Sequence, residues 1–108
     1  MREAAVNACG FTDGMSFDDF QRDKRTEQAV MMSLLIIGES AAKAIANDTE
    51  LQSKYSQIDW IDIRGMRNQI AHGYVDIEFE IVWETVQVEL PKLIKNIDEI
   101  LNQENNRV

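Results

Sequence analysis

Between residues 23 and 46 the apolar side chains Val30, Leu34, Ile37, Ala41, Ala44 and Ile45 recur at steps of three and four. That spacing lines one face of an α-helix, whereas a strand needs a period of two. One long amphipathic helix therefore dominates whatever this chain folds into. With 108 residues the chain can bury roughly 60 to 70% of its unfolded surface, enough for one core and not for two. We expect a single domain over residues 1–108.

The remaining segments read as helices too. Residues 1–9 are good helix formers, with Gly10 and Gly14 expected to break the helix after them. Ser16 with Asp19 three positions later is an N-cap signal, and Phe17 and Phe20 are available for the core. A polar connection follows residues 47–49. Asp59 then caps a helix from Trp60 to Gly73, a glycine suited to a left-handed helix end. Asp76 is expected to cap the last helical stretch, where Val82, Val86, Leu90, Leu93, Ile97 and Ile100 keep the helical spacing. Pro91 removes a backbone donor from it, so a bend, or two helices end to end, is expected near Leu90. The polar residues 102–108 read as a frayed tail. The fold class is all-α: an up-and-down bundle of four to five helices with no strand.

Composition narrows the function. The net charge is −8, which opposes non-specific attraction to nucleic acid or anionic lipid. Residues 57–108 carry five Lys+Arg against ten Asp+Glu, so any polyanion must be met by a local positive cleft. The uninterrupted apolar runs, 29–32 and 34–37, fall far short of the ~20 residues that span a bilayer. No membrane crossing is expected. With no apolar signal core after Met1, and a lone Cys9 that cannot form an internal disulfide, the expected location is cytoplasmic.

The chemistry concentrates in one run, Arg64-Gly65-Met66-Arg67-Asn68-Gln69-Ile70-Ala71-His72-Gly73-Tyr74. It holds the only histidine, two guanidinium groups, an amide and a phenol near a helix end. Cleaving RNA without a metal requires the ribose 2′-OH to be deprotonated, the leaving 5′-oxygen to be protonated, and charge on the phosphorane to be stabilised. Histidine can move the protons near neutral pH, and arginine offers a permanently charged fork to phosphate oxygens. On an ideal helix Arg67 and His72 lie about 140° apart and ~7.5 Å along the axis. Their convergence requires unwinding at residues 71–73, a long reach by Arg67, or a second copy across a two-fold dimer. Taken alone, the same residues also fit a plain C-capping histidine and solvated arginines paired with acids such as Asp62.

Arg67-Asn68-Gln69-Ile70-Ala71-His72-Gly73-Tyr74 resembles the Arg-x4-His-x-Tyr motif of HepT-like toxins in the HEPN superfamily (higher eukaryotes and prokaryotes nucleotide-binding). The stretch 36–41, Ile-Ile-Gly-Glu-Ser-Ala, is similar to the family's Ile-Gly-Glu-Ala segment, and residues 60–68, 81–83 and 90–93 resemble further family blocks. The likeness covers most of the chain. It implies an all-α bundle forming a two-fold dimer with the two motifs facing each other in a cleft. It also implies a metal-independent endoribonuclease, needing no cofactor, toxic when free and partnered by a minimal nucleotidyltransferase antitoxin. By position, Arg67 would hold the scissile phosphate and His72 would transfer protons. Asn68 would orient one of them or the substrate, and Tyr74 would be the tyrosine to which the partner adds AMP. AMP beside His72 would block RNA by bulk and charge. A short RNA target, such as a tRNA end or loop, fits the acidic balance better than a long duplex.

Glu39 interrupts an apolar stripe and is expected to pair, with an arginine near the cleft as its partner, in an orienting role. Arg64 would add positive charge to the cleft. Arg22, Lys24 and Arg25 are a second basic cluster, read as RNA contact or solvated surface. Cys9 is a small helix residue, and Met31, Met32 and Met66 fill the core or a dimer face. The alternative function is a non-catalytic adaptor that binds a nucleotidyltransferase or a nucleotide without cutting RNA.

Overall fold

A computed structural model of the chain describes residues 1–105. Its axis is the expected long helix, α3 (Lys24–Asn47), preceded by α1 (Arg2–Phe11) and α2 (Phe17–Arg22). After it come a single turn α4 (Leu51–Lys54), α5 (Trp60–Gly73), a 3₁₀ turn (Tyr74–Asp76) and α6 (Phe79–Glu84). A π-helical segment (Thr85–Glu89) then runs into α7 (Leu90–Asn105). No strand occurs among the described residues, and the architecture is the expected all-α bundle.

Local chemistry sets the helix starts. At α2, Ser16 Oγ accepts from the Asp19 amide at 3.1 Å while an Asp19 carboxylate oxygen accepts from the Ser16 amide at 3.1 Å, a reciprocal capping box. Asp23 caps α3 by accepting from the Thr26 amide at 3.1 Å and the Thr26 hydroxyl at 2.7 Å. Asp59 caps α5 through the Asp62 amide.

The core forms where α1, α3 and the α6–α7 arm meet. Ala4, Ala5 and Ala8 bury a small-residue face of α1, which lets it lie close against Val30, Leu34, Ile37 and Ala41 of α3. Val82, Val86, Leu90 and Leu93 close the core from the last arm. Phe20, fully buried, stacks edge-on to Phe79 with ring centroids 6.2 Å apart and lies 5.4 Å from Trp83, tying α2 to α6. The main packing of α5 is on α3.

Several sequence expectations are corrected. Gly10 does not end α1, which runs on to Phe11; the left-handed turn falls at Gly14, with φ +76°. Burial of the alanine face outweighs the ~1 kcal/mol that one helical glycine costs. The polar connection after α3 contains the α4 turn. Gly73 ends α5 at φ −143°, not in the left-handed region, because the chain passes directly into the 3₁₀ turn. Asp76 is the last residue of that turn and not a cap; Glu78 holds the N-cap position of α6 without a side-chain bond. The Pro91 interruption takes the form of the π segment, since Pro91 cannot donate to the Gln87 carbonyl and the widened turn lies directly before it. Residues 102–105 are helical, not frayed, and the Tyr55 hydroxyl donates to a Glu104 carboxylate oxygen. The rest of the expected tail, 106–108, lies outside the described residues.

The apolar runs also understate α3, whose most apolar 18 residues average a hydropathy of 1.6, enough by length and composition to cross a bilayer. In the fold it is the central core helix. Its outer face carries Met32 and Ile36, 57% and 47% exposed.

Candidate active site

The site is built on the crossing of α3 and α5. A Cβ placed on Gly38 would sit 2.3 Å from Arg67 Cβ, 2.8 Å from its Cγ and 3.4 Å from its Cα. Only a residue without a side chain lets α5 come this near, so the stem of Arg67 lies across the α3 backbone. Glu39, the next residue on α3, accepts from Arg67 Nη1 at 2.7 Å. Asn68 Oδ1 accepts from Arg67 Nε at 3.0 Å. Two guanidinium nitrogens are thus held, and Nη2 has no hydrogen-bond partner among the described residues.

The expected pairing of Glu39 is therefore present, with Arg67, although Glu39 itself is exposed. His72 is exposed on the last turn of α5, with no hydrogen bond among the described residues. Because α5 is helical through Gly73, unwinding does not bring His72 to Arg67, and Arg67 is drawn toward Glu39 instead of reaching round the helix. Within one chain the structure unites Arg67, Asn68 and Glu39 and leaves His72 apart. Arg64 is exposed one turn earlier and forms no ion pair among the described residues. Asp62 is turned to other acids: a side-chain hydrogen bond with Asp59, their mutual repulsion and the charge of Glu89 raise its carboxyl above the usual range. Tyr74 opens the 3₁₀ turn, 43% exposed.

The other candidates stand apart. Burial pushes the Cys9 thiol up, and its Sγ donates weakly to the Val86 carbonyl at 3.7 Å, an inert setting. Arg22, Lys24 and Arg25 are exposed around the α2–α3 junction. Met31 is buried, Met66 half-buried and Met32 exposed. Among the described residues no group of three or more His, Cys, Asp or Glu could hold a metal ion. Sequence reasoning missed Gly38 as a structural element of the site. Its signal was a lone glycine inside a strong helical pattern, a costly position that a close helix crossing explains here.

The description "Ribonuclease HepT-like" matches residues 1–100, and the chain belongs to that family. Among curated proteins it is similar to one from Methanocaldococcus jannaschii named "Putative RNase", at 41% identity over 91 residues, 84% of this chain and 73% of the relative. A "Putative RNase" of Caldanaerobacter subterraneus subsp. tengcongensis is also 41% identical over 91 residues, covering 84% and 79%. "Probable ribonuclease HepT" of Thermococcus cleftensis is 37% identical over 83 residues, covering 77% and 73%. No solved structure matches the chain.

Proposed function

We propose that this chain is a metal-independent endoribonuclease, the toxin of a pair whose antitoxin is a minimal nucleotidyltransferase, acting as a two-fold dimer on short RNA such as a tRNA end or loop. The observation that carries this reading is the seat of Arg67. Its guanidinium is fixed at two nitrogens and offers the third, in a family of ribonucleases. Arg67 binds the scissile phosphate and stabilises the phosphorane charge. His72 takes the proton from the 2′-OH or gives one to the leaving 5′-oxygen, so attack of the 2′-oxygen on phosphorus expels the downstream ribose as an alcohol. Asn68 and Glu39 hold Arg67 in place.

The regular helix keeps Arg67 and His72 on different flanks of α5, so a second copy is the economical way to complete the site. Met32 and Ile36, exposed beside Glu39 on α3, supply an apolar surface for that copy. Pairing two chains also concentrates the positive charge of Arg64 and Arg67 in a protein of net charge −8. Tyr74, exposed two residues beyond His72, is reachable for AMP addition, and the added bulk and negative charge would close the cleft.

The test is cleavage of total cellular RNA and tRNA by the purified protein in EDTA, beside His72→Ala and Arg67→Lys checked for equal folding by circular dichroism. Activity in EDTA, lost in His72→Ala and reduced about 10²–10³-fold in Arg67→Lys, supports the proposal. Full cleavage by a folded His72→Ala protein sinks it. If no preparation cleaves, intact mass separates a protein already carrying AMP on Tyr74 from a non-catalytic adaptor.

A further inference from the structure

Val75 and Ile61, 93% and 68% exposed, are the two most exposed of the large apolar side chains among the described residues. Neither takes part in the chemistry proposed above. They stand at opposite ends of one feature: Ile61 lies in the first turn of α5, and Val75 in the 3₁₀ turn directly beyond its last residue. At 100° per residue, Ile61, Arg64, Asn68 and His72 fall within an arc of about 80° on α5. All four are exposed. The helix thus shows solvent a stripe with an apolar side chain at each end and Arg64, Asn68 and His72 between them.

Two features name what covers this stripe. The first is its symmetry about Asn68. Ile61 lies seven positions before Asn68 and Val75 seven after it, while Arg64 lies four before and His72 four after. A two-fold axis through Asn68, with α5 antiparallel to its twin, therefore brings Ile61 level with the partner subunit's Val75 and Arg64 level with the partner subunit's His72. One operation covers both apolar ends and keeps the two Arg64 side chains about 12 Å apart along the seam. A nucleic acid laid on the stripe would leave Ile61 and Val75 in water or set them against phosphates. The second is that the site is incomplete in one chain: His72 has no hydrogen bond among the described residues and stands apart from Arg67, and Arg64 forms no ion pair among them.

We propose that two copies of this chain pair along the stripe in the register that sets Ile61 against the partner subunit's Val75, and that Arg64 is a phosphate-binding residue facing the partner subunit's His72 across the seam. Arg67, one residue from the axis, then lies about 4.5 Å along the seam from the same imidazole, within the reach of its side chain. Each of the two sites takes Arg64 and Arg67 from one chain and His72 from the other. Arg67 holds the scissile phosphate, and Arg64 steadies the RNA backbone beside it. The apolar pairs close the seam at both ends and fix its register, since a slip of one turn would return all four side chains to water. The inference rests on the two-fold dimer proposed above, to which it adds the register and the role of Arg64.

The register is read by cross-linking in a Cys9→Ala background, which removes the natural thiol. Ile61→Cys protein is mixed with Val75→Cys protein and treated with a short bismaleimide, each variant being checked for folding by circular dichroism. The mixture is expected to give a linked dimer with one chain of each kind by intact mass. Each protein alone is expected to give none, because like positions stand roughly 20 Å apart along the seam. Self-linking of Ile61→Cys, or a mixture that is dimeric by light scattering and yields no mixed product, overturns the register. A monomeric parent overturns the dimer reading and this inference with it. Arg64 is read by complementation. Arg64→Ala should cut RNA cleavage about tenfold or more. A mixed dimer of Arg64→Ala and His72→Ala chains, isolated on two different tags, should cleave at about half the parent rate, because one of its two sites keeps both groups. A rate no higher than that of Arg64→Ala alone overturns the cross-seam role of Arg64. A protein that links in this register without cutting RNA keeps the register and loses the ribonuclease reading together with the role of Arg64.

Discussion

Replacing Gly38 by alanine should destabilise this protein although alanine is the better helix former. The new Cβ would lie 2.3 Å from Arg67 Cβ, whereas carbon atoms rest at ~3.5–4.0 Å. The crossing of α3 and α5 must therefore open by about 1.2 to 1.7 Å, because the nearest obstructing atom is the Cβ of Arg67, which no rotamer change removes. Overpacking of this kind costs ~1–3 kcal/mol, and the gain in helix propensity offsets ~1 kcal/mol. With the obstruction this close to the backbone the net loss is about 1–2 kcal/mol, a fall in melting temperature of roughly 5–15 °C for a domain of this size. Gly65→Ala provides the control within the same fold. Its Cβ meets nothing within 4 Å, so the propensity gain stands alone and stability rises by ~0.5–1 kcal/mol. Thermal unfolding followed by circular dichroism reads both. A Gly38→Ala protein as stable as the parent, or a Gly65→Ala protein less stable than it, would refute the packing argument. Because opening the crossing also pulls Arg67 away from Glu39, Gly38→Ala should lose RNA cleavage even at temperatures where it is fully folded.

Three other outcomes are expected. Phe20→Ala removes a fully buried ring that holds Phe79 and Trp83, so urea unfolding should show a loss of about 3–5 kcal/mol, a large fraction of the stability of any small domain. Asp23→Ala leaves the first amides of α3 without their cap and should cost ~1 kcal/mol by the same assay. Glu27 is buried at 7% exposure, and desolvation raises its carboxyl above the ordinary value. The folded chain thus holds that proton more tightly than the unfolded chain and loses stability as pH rises through the window above the unfolded value. Glu27→Gln should therefore raise the melting temperature by a few degrees near neutral pH, with the gain vanishing below about pH 3.5, where both states are protonated.

Much of the bundle was legible because its signals are local. The apolar steps of three and four place α3 within a residue at each end, and Asp59 and Gly73 bound α5 as expected. Ser16 with Asp19 marks α2 for the same reason, since a cap needs only four consecutive residues. The errors gather where neighbouring elements compete for the backbone. Asp76 carries a familiar start signal, yet it is the last residue of the 3₁₀ turn that follows Gly73. Pro91 announces an interruption, but that its form is a π turn depends on how Val86 and Leu90 must face the core.

The candidate site divides along the same line. The residue types in the run 64–74 and their helical spacing are properties of the chain by itself, and they suffice to separate Arg67 from His72 on any regular helix. Which residues meet Arg67 is decided by the packing of α5 on α3. Gly38 and Glu39 lie 29 and 28 positions away, and only the close helix crossing turns that separation into a Cβ obstruction of 2.3 Å and an ion pair of 2.7 Å. Helix periodicity and capping are short-range effects of backbone geometry and side-chain type, so the sequence alone determines them. Contacts between helices depend on the summed fit of many side chains at once, so only the tertiary structure decides them.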